Sequence, residues 1–166
     1  LIVNGTFHQA VADEERRGRL ASVPQRPSSW INLQAIEALK DLASNEARRI
    51  ATVANLRSVL GAQRAVHVPA SVLAGKPQPL MRYPVLVKDK ETSEHLVRFF
   101  RNNNVYAEHW GRPLLFPGAL DEGAYQFPGP EELAVTKDIS SRILCLPTEV
   151  TQSQLDFMLS TCRGLS

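Results

Sequence analysis

The sequence predicts an α/β fold: a small mixed β-sheet of three or four strands with helices packed on one face, preceded by a long helix at about 29–60. Three observations predict it. Residues Met81 to Trp110 read in turn as strand, helix and strand. Ile143 to Leu146 is a short apolar run stopped by Pro147, as a buried strand would be. Between Ser29 and Gly61 there is no proline or glycine, and apolar residues recur at three- and four-residue steps. At 166 residues, with 43% hydrophobic and 22% charged, the chain has room for one domain, or for one small domain and an arm.

Residues 1–26 are read as an arm. Asp13-Glu-Glu-Arg-Arg17 suits one helical turn, but Gly18, Pro24 and Pro27 break any longer element. A solvated arm is one reading, and a short hairpin or helix that needs a partner surface is the other. Domain 27–166 then opens with Pro27-Ser28-Ser29, where a serine hydroxyl can cap the long helix. Ile36, Leu39, Ala43, Ala47, Ile50 and Ala54 form one stripe along it. A helix of that length would reach about 45 Å, as a helix bridging two bodies does.

Ala65 to Val68 is a short strand candidate, with His67 on the face opposite Val66 and Val68. Gly75, Pro77 and Pro79 make a loop. Arg82 to Asp89 is the β-branched, apolar strand, and Asp89 stands where a helix cap is wanted. In Glu91 to Asn103, Leu96, Val97, Phe99 and Phe100 share a face, and Asn102-Asn103-Asn104 ends the helix, because asparagine tolerates the left-handed conformation. Val105 to Trp110 is the second strand. Residues 111–130 hold proline and glycine at a density that excludes long regular elements. Glu131 to Arg142 reads as helix. Thr151-Gln-Ser-Gln154 is a capping box for a last helix whose inner face is Leu155, Met158, Leu159 and Cys162, closed by Gly164.

The net charge of +2 implies no strong field for nucleic acid or membrane. Arginine outnumbers lysine, which suits anion contacts but also follows from a GC-rich genome. No apolar run approaches the ~18 residues of a membrane span. Cys145 and Cys162 have neither metal-ligand spacing nor a disulfide framework, and Cys145 inside Ile143-Leu-Cys-Leu146 reads as a buried structural thiol. No nucleophile elbow, phosphate loop, dinucleotide turn or HExxH motif is present. The group left to consider is Glu108-His109-Trp110, with Arg112 two residues on. A histidine at a strand end beside an indole can meet a polar ligand over an apolar floor. The plainer reading is a satisfied edge histidine next to a core tryptophan.

The order of these elements resembles the C-terminal part of one family, the pyridoxal-phosphate-dependent sugar aminotransferases of the DegT/DnrJ/EryC1/StrS type. The matched runs are Tyr83–Asp89, Val105–Trp110 and Ser140-Ser-Arg-Ile-Leu-Cys-Leu-Pro147, with Gln25-Arg-Pro-Ser-Ser-Trp-Ile-Asn-Leu-Gln-Ala-Ile36 similar to the loop that opens the family's interdomain helix. The likeness covers residues from about 25 to 164. Asn104 stands where the family usually has glycine, and residues 1–20 match nothing in it.

The resemblance implies a small domain of an aminotransferase acting on a keto-sugar nucleotide with an amino-acid donor, in a cytoplasmic homodimer. Residues 1–26 would then be a remnant of the preceding large domain. It implies substrate contacts for His109, with Trp110 packed beside it, and for Arg26, whose guanidinium would suit a carboxylate or phosphate. Pyridoxal phosphate would belong to the full-length parent. Lys40, Lys76, Lys88, Lys90 and Lys137 all lack the setting of a Schiff-base lysine, so this chain alone is expected to bind no cofactor and to be inactive. The other classes in play are a free-standing small-molecule-binding or regulatory module, and a protein-interaction domain.

Overall fold

A computed structural model describes residues 2–3, 6–7, 13–19, 26–109 and 131–165. The chain forms two compact units, residues 1–26 with 111–137, and residues 27–110 with 138–166. In the first, β1 (Ile2–Val3) pairs antiparallel with β2 (Thr6–Phe7), in the register Ile2–Phe7 and Val3–Thr6, and α1 (Asp13–Arg16) is a single exposed turn.

The second unit begins with α2 (Ser29–Lys40), where the Ser28 hydroxyl accepts from the Ile31 amide at 3.3 Å. The single long helix expected at 29–60 is in fact two. Asp41 leaves helical geometry at φ −93°, ψ 1°, and α3 (Leu42–Leu60) follows. Aspartate disfavours a helix interior, and the Ser44 hydroxyl donates to the Asp41 carbonyl at 2.9 Å, in competition with the backbone. The predicted stripe also lies outward: Ile36, Leu39, Ala43, Ala47, Ile50 and Ala54 are all exposed. The face that enters the core is Thr52, Val53, Leu56 and Leu60.

After the short α4 (Ala70–Leu73), β3 (Arg82–Leu86) pairs antiparallel with β4 (Ile143–Pro147). Among the described residues this sheet holds two strands, flanked by one isolated bridge on each side, instead of the mixed sheet of three or four strands expected. His67 bridges Leu86 on the outer edge of β3, and Glu108 bridges Cys145 on the outer edge of β4. Neither flank extends into a strand. Beyond His67, Pro69 has no amide to offer. Before Glu108, the Ala107 amide turns back to the Val105 carbonyl and the Arg101 side chain takes the Ala107 carbonyl at 2.8 Å, so these groups are spent locally. His67 lies exposed between buried Val66 and Val68, as the alternation requires.

The Cys145 amide and carbonyl both turn toward Glu108, away from β3. Pro84 and Cys145 are therefore a non-hydrogen-bonded pair, and the Pro84 nitrogen points to the outer edge of β3.

One face of the ladder, carrying Tyr83, Val85, Leu144 and Leu146, packs beneath α3, α5 (Lys90–Asn102) and α7 (Gln152–Arg163). Phe100 and Met158 lie fully buried there. α5 is capped by the Asp89 carboxylate, which accepts the Thr92 amide at 2.8 Å. Hydrogen bonding from the Thr92 side chain, then from its amide, holds the Asp89 carboxyl below its ordinary value. The stability this adds is present above the unfolded pKa and is lost as pH falls through the folded one. α6 (Ala134–Arg142) leads into β4, and α7 begins with both halves of the Thr151–Gln154 capping box.

Asn104 adopts φ +60°. Its carbonyl accepts from the Gln154 side chain at 2.6 Å, which ties the end of α5 to the start of α7. A β-branched side chain clashes in this conformation. Asn104→Val is expected to cost about 1–2 kcal/mol in chemical unfolding, and Asn104→Gly to change stability far less.

Candidate functional site

Three segments converge where the sequence places its polar and aromatic group. The Glu108–Cys145 bridge fixes the backbone just before His109, with amide-to-carbonyl distances of 3.1 and 2.8 Å. Ser93, in the first turns of α5, points inward with 0% exposure. β4 presents the Ile143 carbonyl at its first residue. The Ser93 hydroxyl donates to that carbonyl at 2.8 Å, and His109 Nδ1 lies 3.2 Å from both the Ser93 Oγ and the Ile143 oxygen.

Beside this group, the half-buried Arg82 guanidinium pairs with the Glu108 carboxylate. Arg142 donates to the Val87 carbonyl at 3.1 Å and pairs with Asp138, whose carboxyl it holds below its ordinary value. Met81, Arg82, Pro84, Ile143 and Cys145 line a largely apolar groove of about 290 Å³. Arg82, Pro84, Ile143 and Cys145 share one parity along the ladder, so the groove lies on the sheet face opposite the helices. Such a surface can hold an apolar ring or face, with the Arg82–Glu108 pair as its polar rim.

Of the sequence-predicted site residues, His109 is half-buried and held by two elements. Arg26 is exposed, two residues before the Ser28 cap, and belongs to the first unit. Trp110 and Arg112 lie outside the described residues. Sequence reasoning missed Ser93, the Arg82–Glu108 pair and the groove. Ser93 did carry a signal: it shares the helical face of Leu96, Val97 and Phe100, where a polar residue needs a partner.

All five lysines are exposed. Lys40 pairs with Glu37, Lys88 with Asp89 and Lys90 with Glu94. None has the enclosed setting of a Schiff-base lysine, so the described residues do not fit pyridoxal phosphate. Among those residues no group of three or more His, Cys, Asp or Glu side chains is placed to hold a metal ion. No described helix is long and apolar enough to cross a membrane.

No family model and no curated protein matches the chain. Solved structures do. The aminotransferase TlmJ from Streptoalloteichus hindustanus is similar at TM-score 0.58 and 20% identity, over 75% of this chain and 32% of that one. The sugar aminotransferase CalS13 from Micromonospora echinospora is similar at TM-score 0.57 and 12% identity, over 75% and 32%. Helicobacter pylori PseC, an aminotransferase involved in the biosynthesis of pseudoaminic acid, is similar at TM-score 0.56 and 14% identity, over 76% and 34%. The likeness is one of fold, and the chain spans about a third of the length of each of these aminotransferases.

Proposed function

We propose that the chain is the C-terminal small domain of a pyridoxal-phosphate-dependent aminotransferase that moves an amino group from an amino-acid donor to a keto-sugar nucleotide. The observation that carries this reading is the fold shared over three quarters of the chain with aminotransferases of which it spans only a third. The outward apolar face of α2 supports it. Trp30, Leu33, Ile36 and Leu39 are each more than half exposed, and an apolar face of that size is commonly covered by another body. In this reading the cover is the missing large domain of the same protein, which brings the lysine and the cofactor. The parent is a cytoplasmic homodimer, and this chain alone is not catalytic.

The roles of this chain's residues are then to bind and to enclose. His109 contacts the sugar nucleotide, Trp110 packs beside it, and Arg26 meets a carboxylate or phosphate. The first test is the intact mass of the native gene product against the 18.4 kDa of this chain. A product more than twice as large, yellow and reducible by borohydride at a lysine, is expected. A native product of this same size overturns the reading. In the parent enzyme, His109→Ala is expected to raise KM for the sugar nucleotide about tenfold, the worth of one hydrogen bond of about 1.4 kcal/mol, with less change in kcat. An unchanged KM removes His109 from the substrate site.

A further inference from the structure

We propose that the groove on the open face of the ladder is a nucleobase pocket, with Met81, Pro84, Ile143 and Cys145 as its floor and the Arg82–Glu108 pair as the group that reads the edge of the ring. The choice of a nucleobase rests on the reading of the substrate as a sugar nucleotide. The floor and its polar rim rest on geometry alone.

The register brings these parts to one place. Arg82 faces Pro147 and Pro84 faces Cys145 across the ladder, and Cys145 is bridged on its other side to Glu108. Directly bridged residues share a face, so Glu108 stands on the groove side of the sheet, with β4 between it and Arg82. The Arg82 side chain spans β4 to reach Glu108 and lines the groove as it does so.

The pair is left open. A guanidinium and a carboxylate can share two parallel bonds, and Arg142 holds Asp138 in that way, Nε to Oδ1 and Nη2 to Oδ2. Arg82 donates to Glu108 only from Nε to Oε1, and its Nη1 donates to the Met81 carbonyl at 3.3 Å. Among the described residues, Arg82 Nη2 and Glu108 Oε2 make no hydrogen bond, so one donor and one acceptor remain side by side. The two side chains keep only 28% and 24% of their surface exposed, so these groups are already partly withdrawn from water.

A ligand that completes this rim must offer an acceptor beside a donor, and one that fills this floor must have apolar faces. A nucleobase has both, since its faces are flat and its edge sets a carbonyl beside an N–H or a ring nitrogen beside an amino group. A sugar carries hydroxyls around its whole perimeter and would leave most of them unpaired on such a floor. A phosphate has acceptors only and would meet Glu108 as a like charge. Ile143 adjoins both this groove and His109, because its side chain lines the one and its carbonyl lies 3.2 Å from Nδ1 of the other. A base held here is one residue away from the place assigned to the sugar.

The test is an NMR titration of the ¹⁵N-labelled chain with uridine, whose ring N–H lies between two carbonyls and presents the required pair whichever face meets the floor. Amide shifts are expected at Met81, Arg82, Glu108 and Cys145. Uridine methylated at the ring N–H is expected to bind about tenfold more weakly, as is uridine itself to Arg82→Met, each loss being that of about one hydrogen bond. No shift at these amides, or equal affinity for the two nucleosides, overturns the proposal. Should Arg82→Met fail to fold, the methylated nucleoside needs no variant and still decides. In the parent enzyme, Arg82→Met is expected to raise KM for the sugar nucleotide about tenfold and to leave KM for the amino-acid donor unchanged. An unchanged KM for both means that the groove takes no part in holding the nucleotide, and overturns the proposal. A native product of 18.4 kDa whose groove binds uridine would sink the aminotransferase reading and keep the pocket, and a larger yellow parent with no shift here would do the reverse.

Discussion

Phe100→Ala is expected to lower the unfolding free energy of the second unit by about 3–5 kcal/mol, read as a fall in the urea midpoint with little change in slope. Phe100 has no exposed surface and lies at the meeting of α5, α7 and the ladder. Its ring stands edge-on to Phe157, with centroids 6.1 Å apart at 88°. Removing it forfeits the transfer energy of a benzyl group, leaves a cavity the three layers cannot all close, and loses the edge contact, worth about 0.5–1.5 kcal/mol. The backbone at this residue is also committed, since its carbonyl accepts from the amides of Asn103 and Val105 that form the turn after α5. Against a total stability of about 5–15 kcal/mol for a domain, the substitution brings the unit close to its threshold. A loss below about 1 kcal/mol would mean that the layers collapse onto the gap and that Phe100 is not the junction described.

Tyr83→Phe is expected to act in the opposite direction, raising stability at neutral pH by about 1–3 kcal/mol and flattening the alkaline side of the stability profile. Tyr83 is fully buried, and among the described residues its hydroxyl has no hydrogen-bond partner. Burial pushes its pKa from 10.0 up to about 12 and that of the Cys162 thiol from 9.0 up to about 12. Well below pH 9 both groups are protonated in the folded and unfolded chain, and neither makes stability depend on pH. As pH rises from 9 to 12 the unfolded chain gives up both protons while the folded chain keeps them, so stability falls through this window. Each group contributes about 1.4 kcal/mol per pH unit over the span in which the two states differ. Tyr83→Phe removes the tyrosine share from the upper part of the window and leaves the thiol share. Thermal melts across pH 8 to 11 would show it, and parallel curves for both proteins would refute it.

Much of this fold was legible because its signals are local. Asp89, Ser28 and the Thr151–Gln154 pair are caps, and each depends on an oxygen placed within three residues of the amide it serves. Asn104 is similar, since a left-handed φ is a property of one residue and its neighbours. What could not be read is decided by atoms distant in sequence. Whether Val105 to His109 forms a strand depends on Arg101 and Val105 taking both backbone groups of Ala107, and no alternation pattern records that. The α2–α3 stripe was periodic and apolar, as a core face is. Periodicity shows that a face is apolar but not what covers it, and the chain buries Val53, Leu56 and Leu60 instead. In the arm, the two-residue runs Ile2-Val3 and Thr6-Phe7 are too short for their sequence to demand the β1–β2 pairing. At the site His109 was visible by composition, whereas Ser93 and Ile143 lie 16 and 34 residues from it and meet it only through the fold.

A ladder of two strands has outer edges, and an edge of unused amides is a template on which another chain can grow as a fibril. Here that template is interrupted on both sides. The Pro84 nitrogen points outward on β3 and has no proton to give, Leu86 is closed by His67, and the outer groups of Cys145 are taken by Glu108. Cross-β association of native molecules is therefore suppressed at this sheet, and among the described residues α2 exposes a run of large apolar side chains, Trp30, Ile31, Leu33, Ile36 and Leu39, on which self-association can rest. Colloidal behaviour and amyloid propensity are thus assigned to different parts of one small molecule. A mild detergent should disperse its aggregates, and a dye that reads cross-β structure should stay dark on them.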